Sequence, residues 1–259
     1  MLSYQHSYHA GNLADVHKHA LLAAMLAYMT GKDKPLSYIE THAGRGLYGL
    51  DAPEALKTGE AAAGIDRIGG RFAPGHPYAK VLSRVRARFG RAVYPGSPLV
   101  AALSLRPGDR IELAELHPAE FAALADLMAD YGARCRQQDG PQMALALTPP
   151  EPRRGLMLID PSYEVKADYA ALPGLVGKIH AKWNVGVIAV WYPILTRNAH
   201  LAMLDDLQSR GLPGVLRHEI RFACVRPGHK LVGSGMFIVN APYGTDAAAA
   251  HLTGLFAGM

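Results

Sequence analysis

Two hydrophobic patterns alternate along this chain. Short continuous apolar runs suit strands buried on both faces, and apolar residues returning every three to four positions suit helices packed on such strands. Strands are predicted at Leu36 to Glu40, at Arg110 to Leu116, where apolar and acidic residues alternate, at the polar Arg134 to Gln138, at Leu156 to Ile159 and at Val185 to Trp191, the last very apolar and ending at Tyr192-Pro193. Helices are predicted from Leu13 to about Tyr28, from Tyr78 to Phe89, from Leu99 to Leu105 and from Ala119 to Tyr131, with a terminal helix around Ala247 to Ala250. Asn12 is a good N-cap for the first, with Gly31 near its end, and Ser97-Pro98 reads as an N-cap followed by proline at the first helical position. Val215 to Val225 and Met236 to Val239 have the alternation of a late antiparallel pair, with Gly233-Ser234-Gly235 as the link before the last strand. Strands alternating with helices and then a closing hairpin predict an α/β fold around a Rossmann-like, mostly parallel sheet.

The alternation is interrupted once. After the strand at Leu36 to Glu40 the expected helix is delayed until Ser97. Residues 47–94 therefore read as an inserted helical subdomain, and residues 1–46 with 95–259 as the main domain. Within the insertion Lys80, Arg84, Arg86, Arg88 and Arg91 cluster without an acid among them. That is either a solvated helix face or a surface for phosphates, and the second reading is favoured.

Composition changes this picture little. The chain has 259 residues, 49% hydrophobic, which suits one large α/β domain with an insertion, or two small domains. Lys and Arg number 27 against 22 Asp and Glu, a balance compatible with a polyanionic partner. Cys135 and Cys224 lack ligand spacing and read as reduced thiols of a cytoplasmic protein. The apolar run Ala20 to Met29 is too short for a bilayer span, and its polar flanks do not suit a signal peptide.

Candidate chemistry gathers at strand ends. Asp160-Pro161-Ser162-Tyr163 follows the run Gly155 to Ile159. Pro161 removes a backbone donor and restricts Asp160 to extended conformations, so the strand stops there. An acid at the carboxyl end of a buried parallel strand faces the ligand crevice of an open sheet. A carboxylate, a carbonyl freed at the strand end and the flat ring of Tyr163 can together hold an exocyclic amine on a planar base. The same residues also suit a strand-ending turn with a capping Asp. Glu40-x-x-x-Gly44-x-Gly46 after the first strand has the spacing of a nucleotide-type loop, in which small residues let the backbone approach a ligand. A dinucleotide site would prefer Gly at His42. Glu115 ends the second strand, where an acid commonly takes ribose hydroxyls. His17 and His19, two apart on a helix, point in different directions, and with His6 and His9 in irregular chain no metal site is predicted. A polar cluster lining a pocket fits these residues better.

Taken together, the opening Met1 to Asn12, Thr41-His42-Ala43-Gly44, Tyr94-Pro95-Gly96-Ser97-Pro98, Glu115-Leu116-His117-Pro118 and Asp160-Pro161-Ser162-Tyr163 resemble the RlmJ-type methyltransferases of bacterial large-subunit ribosomal RNA, in motif order and over nearly the whole chain. The last motif resembles the (Asp/Asn)-Pro-Pro-(Tyr/Phe) signature of amino-methyltransferases, with Ser162 in place of the second proline. The resemblance implies a class I S-adenosylmethionine-dependent methyltransferase fold and transfer of a methyl group to N6 of an adenine in 23S RNA. It implies that His19 and His42 contact S-adenosylmethionine with Lys18 beside them, and that Ser97 touches it too. Glu115 would hold its ribose, Asp139 and Gly140 its adenine ring, and Gly44 would belong to the cofactor loop. Asp160 would be the catalytic residue, Tyr4 would meet the RNA and His6 would assist. In the mechanism expected, Asp160 and the Pro161 carbonyl accept the two N6 hydrogens and Tyr163 stacks on the flipped base.

Three alternatives remain at this level. A DNA adenine methyltransferase fits the motifs equally but lacks a large recognition domain. A non-catalytic nucleic-acid-binding factor for uptake or use of foreign DNA would not need Asp160 or the cofactor loop. A nicotinamide oxidoreductase would want more glycine at the first loop. The expected partner is 23S rRNA, naked or in an early assembly intermediate, with a monomeric cytoplasmic protein that uses neither metal nor membrane.

Overall fold

Asn12 starts the first helix as predicted: its side chain accepts from the Asp15 amide at 2.9 Å. In this computed structural model, which describes residues 5–164, 166–222 and 230–259, α1 (Leu13–Thr30) is followed by β1 (Ser37–Glu40). The excursion then comprises β2 (Leu47–Gly49), α2 (Pro53–Thr58), α3 (Glu60–Ala63), α4 (Ile65–Ile68), α5 (Pro77–Phe89) and β3 (Val93–Pro95). The main alternation resumes with α6 (Ser97–Ser104), β4 (Arg110–Ala114), α7 (Pro118–Met128), β5 (Arg134–Arg136), α8 (Gly140–Leu147) and β6 (Gly155–Ile159). It ends with α9 (Lys166–Lys182), β7 (Val187–Leu195), α10 (His200–Ser209), β8 (Leu216–Arg221), β9 (Leu231–Val239) and α11 (Thr245–Phe256).

Seven strands form one sheet in the order β5-β4-β1-β6-β7-β9-β8. The first five are parallel, and β9 runs antiparallel between β7 and β8. This is the Rossmann-like class I arrangement with a closing hairpin that the sequence predicts. The chain moves outward from β1 in one direction and from β6 in the other, so the topological switch lies between these neighbours and a ligand crevice opens at their carboxyl ends. One face of the sheet packs on Leu21, Leu22, Met25 and Leu26 of α1 and on α6 and α11. The other packs on Val176 and Ile179 of α9 and on α8 and α10. Each fully buried aliphatic side chain contributes about 1.5–3 kcal/mol, and that burial holds an 18-residue helix carrying four buried polar side chains, Asp15, His17, Lys18 and His19, against the sheet. Among the described residues, no helix is long and apolar enough to cross a membrane.

The excursion leaves and returns through an antiparallel ladder in which Tyr48 pairs with Tyr94. Its apolar side chains Ile65, Ile68, Phe72, Tyr78 and Val81 join the same core cluster as α1 and α6. The segment thus packs on the body of the protein and shares its core.

Three sequence expectations change. The fifth strand does not end at Tyr192-Pro193 but runs to Leu195. Beyond Val190 it pairs only with β9, so one edge is open there and a residue without an N–H is tolerated. Gly233-Ser234-Gly235 is no link but part of β9. A Cβ on Gly235 would fall 2.1 Å from the Tyr192 ring, so glycine is what lets that ring lie on the strand. Ser97 is not the N-cap: Gly96 holds that position, and the Ser97 hydroxyl instead donates to Glu40 at 2.5 Å. Of the stretch Val215 to Val225, β8 covers Leu216–Arg221; Cys224 lies outside the described residues.

Glu40 is wholly buried at the end of β1 and also accepts from the Tyr38 hydroxyl at 2.7 Å. It ties the returning chain to the sheet. Burial pushes its carboxyl up to about 8, a rise that the bonds from Ser97 and Tyr38 oppose and the charge of Asp160 assists. The folded protein therefore binds this proton more tightly than the unfolded chain, where the ordinary value of 4.5 applies. Between those limits the native state carries more protons, so the stability from Glu40 is full below the lower limit and falls as pH rises towards the upper. Glu40→Gln is expected to flatten the stability profile between about pH 5 and 8 and to gain a few kcal/mol at the alkaline end, as measured by urea denaturation. An unchanged slope would show that Glu40 does not titrate in this window.

Candidate active site

The carboxyl ends of β1, β4, β5 and β6 open into a cavity of about 680 Å³. Every predicted site residue that the structure describes lines it, from His6 in the N-terminal segment to Tyr163 after β6. Tyr4 lies outside the described residues. Among the described residues no group of three or more His, Cys, Asp or Glu is arranged to hold a metal ion.

At the centre stands Lys18. Its Nζ is 2.5 Å from Asp160 Oδ2 and 3.2 Å from Asp15 Oδ1, with all three side chains largely buried. Burial opposes the charge on Lys18, but Asp160 and Asp15 outweigh it and raise the ammonium above its ordinary value. Asp15 is held well below the usual carboxylate range: burial works against this, and the charges of His6 and Lys18 overcome it. His6 Nε2 lies 2.9 Å from Asp15 Oδ2, and the Gly11 amide donates to the same oxygen at 3.0 Å. The N-terminal segment, α1 and the end of β6 are thus joined by one charge network. Asp160 is bonded only through Oδ2; among the described residues no protein group engages Oδ1.

The other side of the cavity is built by loops held close together. Glu115 accepts from the Gly44 amide at 2.8 Å and from the His117 amide at 2.7 Å, which locks its carboxylate between the β1 loop and the start of α7. Asp139 caps α8 by accepting from the Gln142 amide at 2.8 Å. A Cβ on Gly140 would lie 1.8 Å from the Thr41 carbonyl oxygen, so only glycine lets α8 start against the β1 loop. His42 shares a 2.8 Å hydrogen bond with the Thr41 hydroxyl, and burial lowers its pKa against the pull of Asp160 and Asp139. His19 is held neutral, well below its ordinary value, by burial and then by Lys18. Its Nδ1 bonds the Tyr94 hydroxyl at 2.9 Å, while its buried Nε2 has no partner among the described residues.

The turn after Pro161 places Tyr163 at φ 56°, in the left-handed region. With Ser162 at the third position the turn still forms. The Tyr163 ring is 7% exposed, its hydroxyl donates to the Trp191 carbonyl at 2.5 Å, and it packs against Tyr169 at 4.5 Å. It lines the cavity as part of the wall. Two members of the basic cluster of the excursion have partners elsewhere in the fold. Arg84 donates to the Leu103 carbonyl at the end of α6, and Arg88 pairs with Asp130 at 2.6 Å and lies over the Tyr131 ring. All five residues, Lys80, Arg84, Arg86, Arg88 and Arg91, are exposed.

Sequence reasoning missed two residues here. Asp15 has no part among the candidate residues above; its spacing of three from Lys18 is the available signal. Trp191 was read as strand core, yet Ile159 pairs with Val190, so Trp191 stands level with Asp160 at the rim.

Comparison with known proteins agrees with this architecture. The family model described as "Ribosomal RNA large subunit methyltransferase D, RlmJ" matches residues 33–257. "Ribosomal RNA large subunit methyltransferase J" of Escherichia coli (strain K12) is 38% identical over 247 residues, covering 94% of this chain and 88% of that protein. The protein of the same name from Haemophilus influenzae is 36% identical over 251 residues, with the same coverage. A crystal structure of a Legionella pneumophila protein superposes with a TM-score of 0.85 at 35% identity, covering 96% of this chain and 94% of that one. With a matching model over most of its length and relatives above one-third identity over nearly all of it, the chain belongs to the RlmJ family of large-subunit ribosomal RNA methyltransferases.

Proposed function

We propose that this protein transfers the methyl group of S-adenosylmethionine to N6 of an adenine in 23S ribosomal RNA, with Asp160 as the catalytic residue. The observation that carries this reading is the Lys18–Asp160 pair at the topological switch, with one carboxylate oxygen held by the ammonium and the other left for a ligand. The relatives are named for ribosomal RNA, which favours RNA over DNA. A cavity assembled around a positioned carboxylate favours catalysis over binding alone.

The residues present fit the methyl donor. Glu115, fixed by two amides, has acceptor capacity left for a ribose diol. On the cavity wall His19 Nε2 is a buried polar atom without a partner among the described residues, as a site for a polar end of a ligand requires. Asp139 and Gly140 would flank the adenine ring, with His42, Gly44 and Ser97 completing the cradle. When bound, the donor supplies a methyl group activated on a sulfonium.

An exocyclic amine is a poor nucleophile because its lone pair is delocalised into the ring. Asp160 and the Pro161 carbonyl accept the two N6 hydrogens and turn that pair towards the methyl group. Lys18 holds one oxygen of Asp160, so the carboxylate enters the reaction already oriented. Tyr163 closes the wall beside the base. Tyr4 and His6 approach from the N-terminal segment, and the His6–Asp15 contact ties that segment to the same network. The exposed Lys80, Arg86 and Arg91 of the excursion contact RNA phosphates. The protein works as a monomer in the cytoplasm, on naked RNA or an early assembly intermediate.

Asp160→Asn is expected to leave S-adenosylmethionine affinity within a few-fold while single-turnover methylation of unmodified 23S RNA falls by about 10²–10⁴-fold. Near-normal turnover would remove Asp160 from the chemistry. Replacing Lys80, Arg86 and Arg91 together with Ala should weaken RNA binding and lower the slope of log affinity against log salt by about 2, with kcat unchanged. An unaltered slope would make the cluster a solvated face. For Tyr4→Ala, methylation should drop at constant melting temperature and cofactor affinity; a destabilised variant with an unchanged single-turnover rate would rule out substrate contact.

A further inference from the structure

Trp191 links two parts of the site that the proposed chemistry treats separately. Its half-buried ring lines the cavity and lies 5.4 Å below Lys18 Nζ, the cation that holds Asp160. Its carbonyl accepts the Tyr163 hydroxyl. With Tyr163 only 7% exposed and packed on Tyr169, Trp191 is the more open of the two aromatic plates beside Asp160.

The ring is held from behind by a hydrogen-bonded chain. Trp191 Nε1 donates to Ser234 Oγ at 2.9 Å, and Ser234 meets His17 Nδ1 at 2.8 Å. His17 Nε2 meets His218 Nδ1 at 2.9 Å, and His218 Nε2 meets Thr253 Oγ1 at 2.9 Å. The far end closes with the Thr253 hydroxyl donating to the Ala249 carbonyl at 3.3 Å. An indole N–H can only donate, and Thr253 donates away from the chain, so both ends impose one direction. Ser234 then donates to His17, His17 to His218 and His218 to Thr253, and every group is satisfied with both imidazoles neutral. Burial keeps both imidazoles below their ordinary value, in keeping with that state. Ser234 and His17 are fully buried. A run of five bonds through α1, β9, β8 and α11 that terminates on one indole nitrogen fixes the angle of that indole.

We propose that Trp191 forms a wall of the subsite for the target base, and that Ser234 and His17 are positioning residues that set its ring. This rests on base methylation as proposed above. A purine whose N6 reaches Asp160 and the Pro161 carbonyl lies beside the Trp191 ring, because Trp191 is level with Asp160 across the β6–β7 pair. Stacking on an aromatic plate tolerates any base, so Trp191 supplies placement, while the two acceptors at Asp160 and Pro161 select an amine.

The test compares wild type, Trp191→Leu, Trp191→Phe and Ser234→Ala for methylation kinetics on unmodified 23S RNA, S-adenosylmethionine affinity and melting temperature. Trp191→Leu should lower kcat/KM for RNA by about 100-fold with cofactor affinity within about twofold, and Trp191→Phe should recover most of that loss. Ser234→Ala should lower kcat/KM by about tenfold and shift the indole emission, read as the difference from Trp191→Phe so that Trp183 cancels. Trp191→Leu with wild-type kcat/KM would overturn the proposal. So would a loss matched by falls in melting temperature and cofactor affinity and not rescued by Phe. A wild-type protein that methylates no adenine in 23S RNA would instead overturn the reaction on which the proposal rests.

Discussion

The Lys18 ammonium is the interaction on which the site depends. Burying a lone cation costs several kcal/mol even after relaxation, and the cost is offset only when carboxylates are supplied at short range. Two are supplied, Asp15 from the preceding turn of the same helix and Asp160 from the end of β6. The consequence is positional. α1 can seat its polar turns only where Asp160 is, and Asp160 acquires a fixed plane only where α1 is. His6 and the Gly11 amide extend the arrangement to the N-terminal segment through Asp15, so the chain that borders the cavity is registered to Asp160.

A second carboxyl nearby is treated in the opposite way. Glu40 ends the neighbouring strand with two hydroxyls as its partners and no cation bonded to it, and burial raises its pKa. Asp160 instead is bonded to the Lys18 ammonium. Glu40 does mechanical work: through Ser97 it joins the start of α6 to the end of β1, which is where the chain must return after its excursion of nearly fifty residues.

The excursion and the closing hairpin extend the site in different directions. The first packs into the core shared with α1 and presents lysine and arginine outside the cavity. The second anchors Trp191 of β7, which stands at the rim, through Ser234 to α1 and α11. α1 is common to all of these contacts. Its buried polar residues serve different partners on different faces: Lys18, with Asp15 beside it, the Asp160 carboxylate, His17 the hairpin, His19 the Tyr94 hydroxyl at the base of the excursion.

Local signals in the sequence determined the alternation of strands and helices, the strand stop at Asp160-Pro161, the cap at Asn12 and the acid at the end of β4. Each depends on a backbone preference or a spacing within a few residues. The family resemblance extended this to which residues line the cavity, and all those described do so. The tertiary structure alone decided where polar groups far apart in the chain find partners. Ser97 looked like a cap because serine often is one, but Gly96 takes that position and the Ser97 hydroxyl donates to Glu40, 57 residues away. Gly233-Ser234-Gly235 looked like a link because glycine weakens strands, but Tyr192 on β7 needs the space that Gly235 leaves. Arg84 and Arg88 looked free because no acid lies near them in sequence, yet α6 supplies a carbonyl and Asp130 a carboxylate. Propensity is read over a few neighbours, whereas desolvation of a buried polar group must be answered by whatever the fold brings within hydrogen-bonding distance. The identity of that partner is a property of the packed sheet and helices and is absent from any window of the sequence.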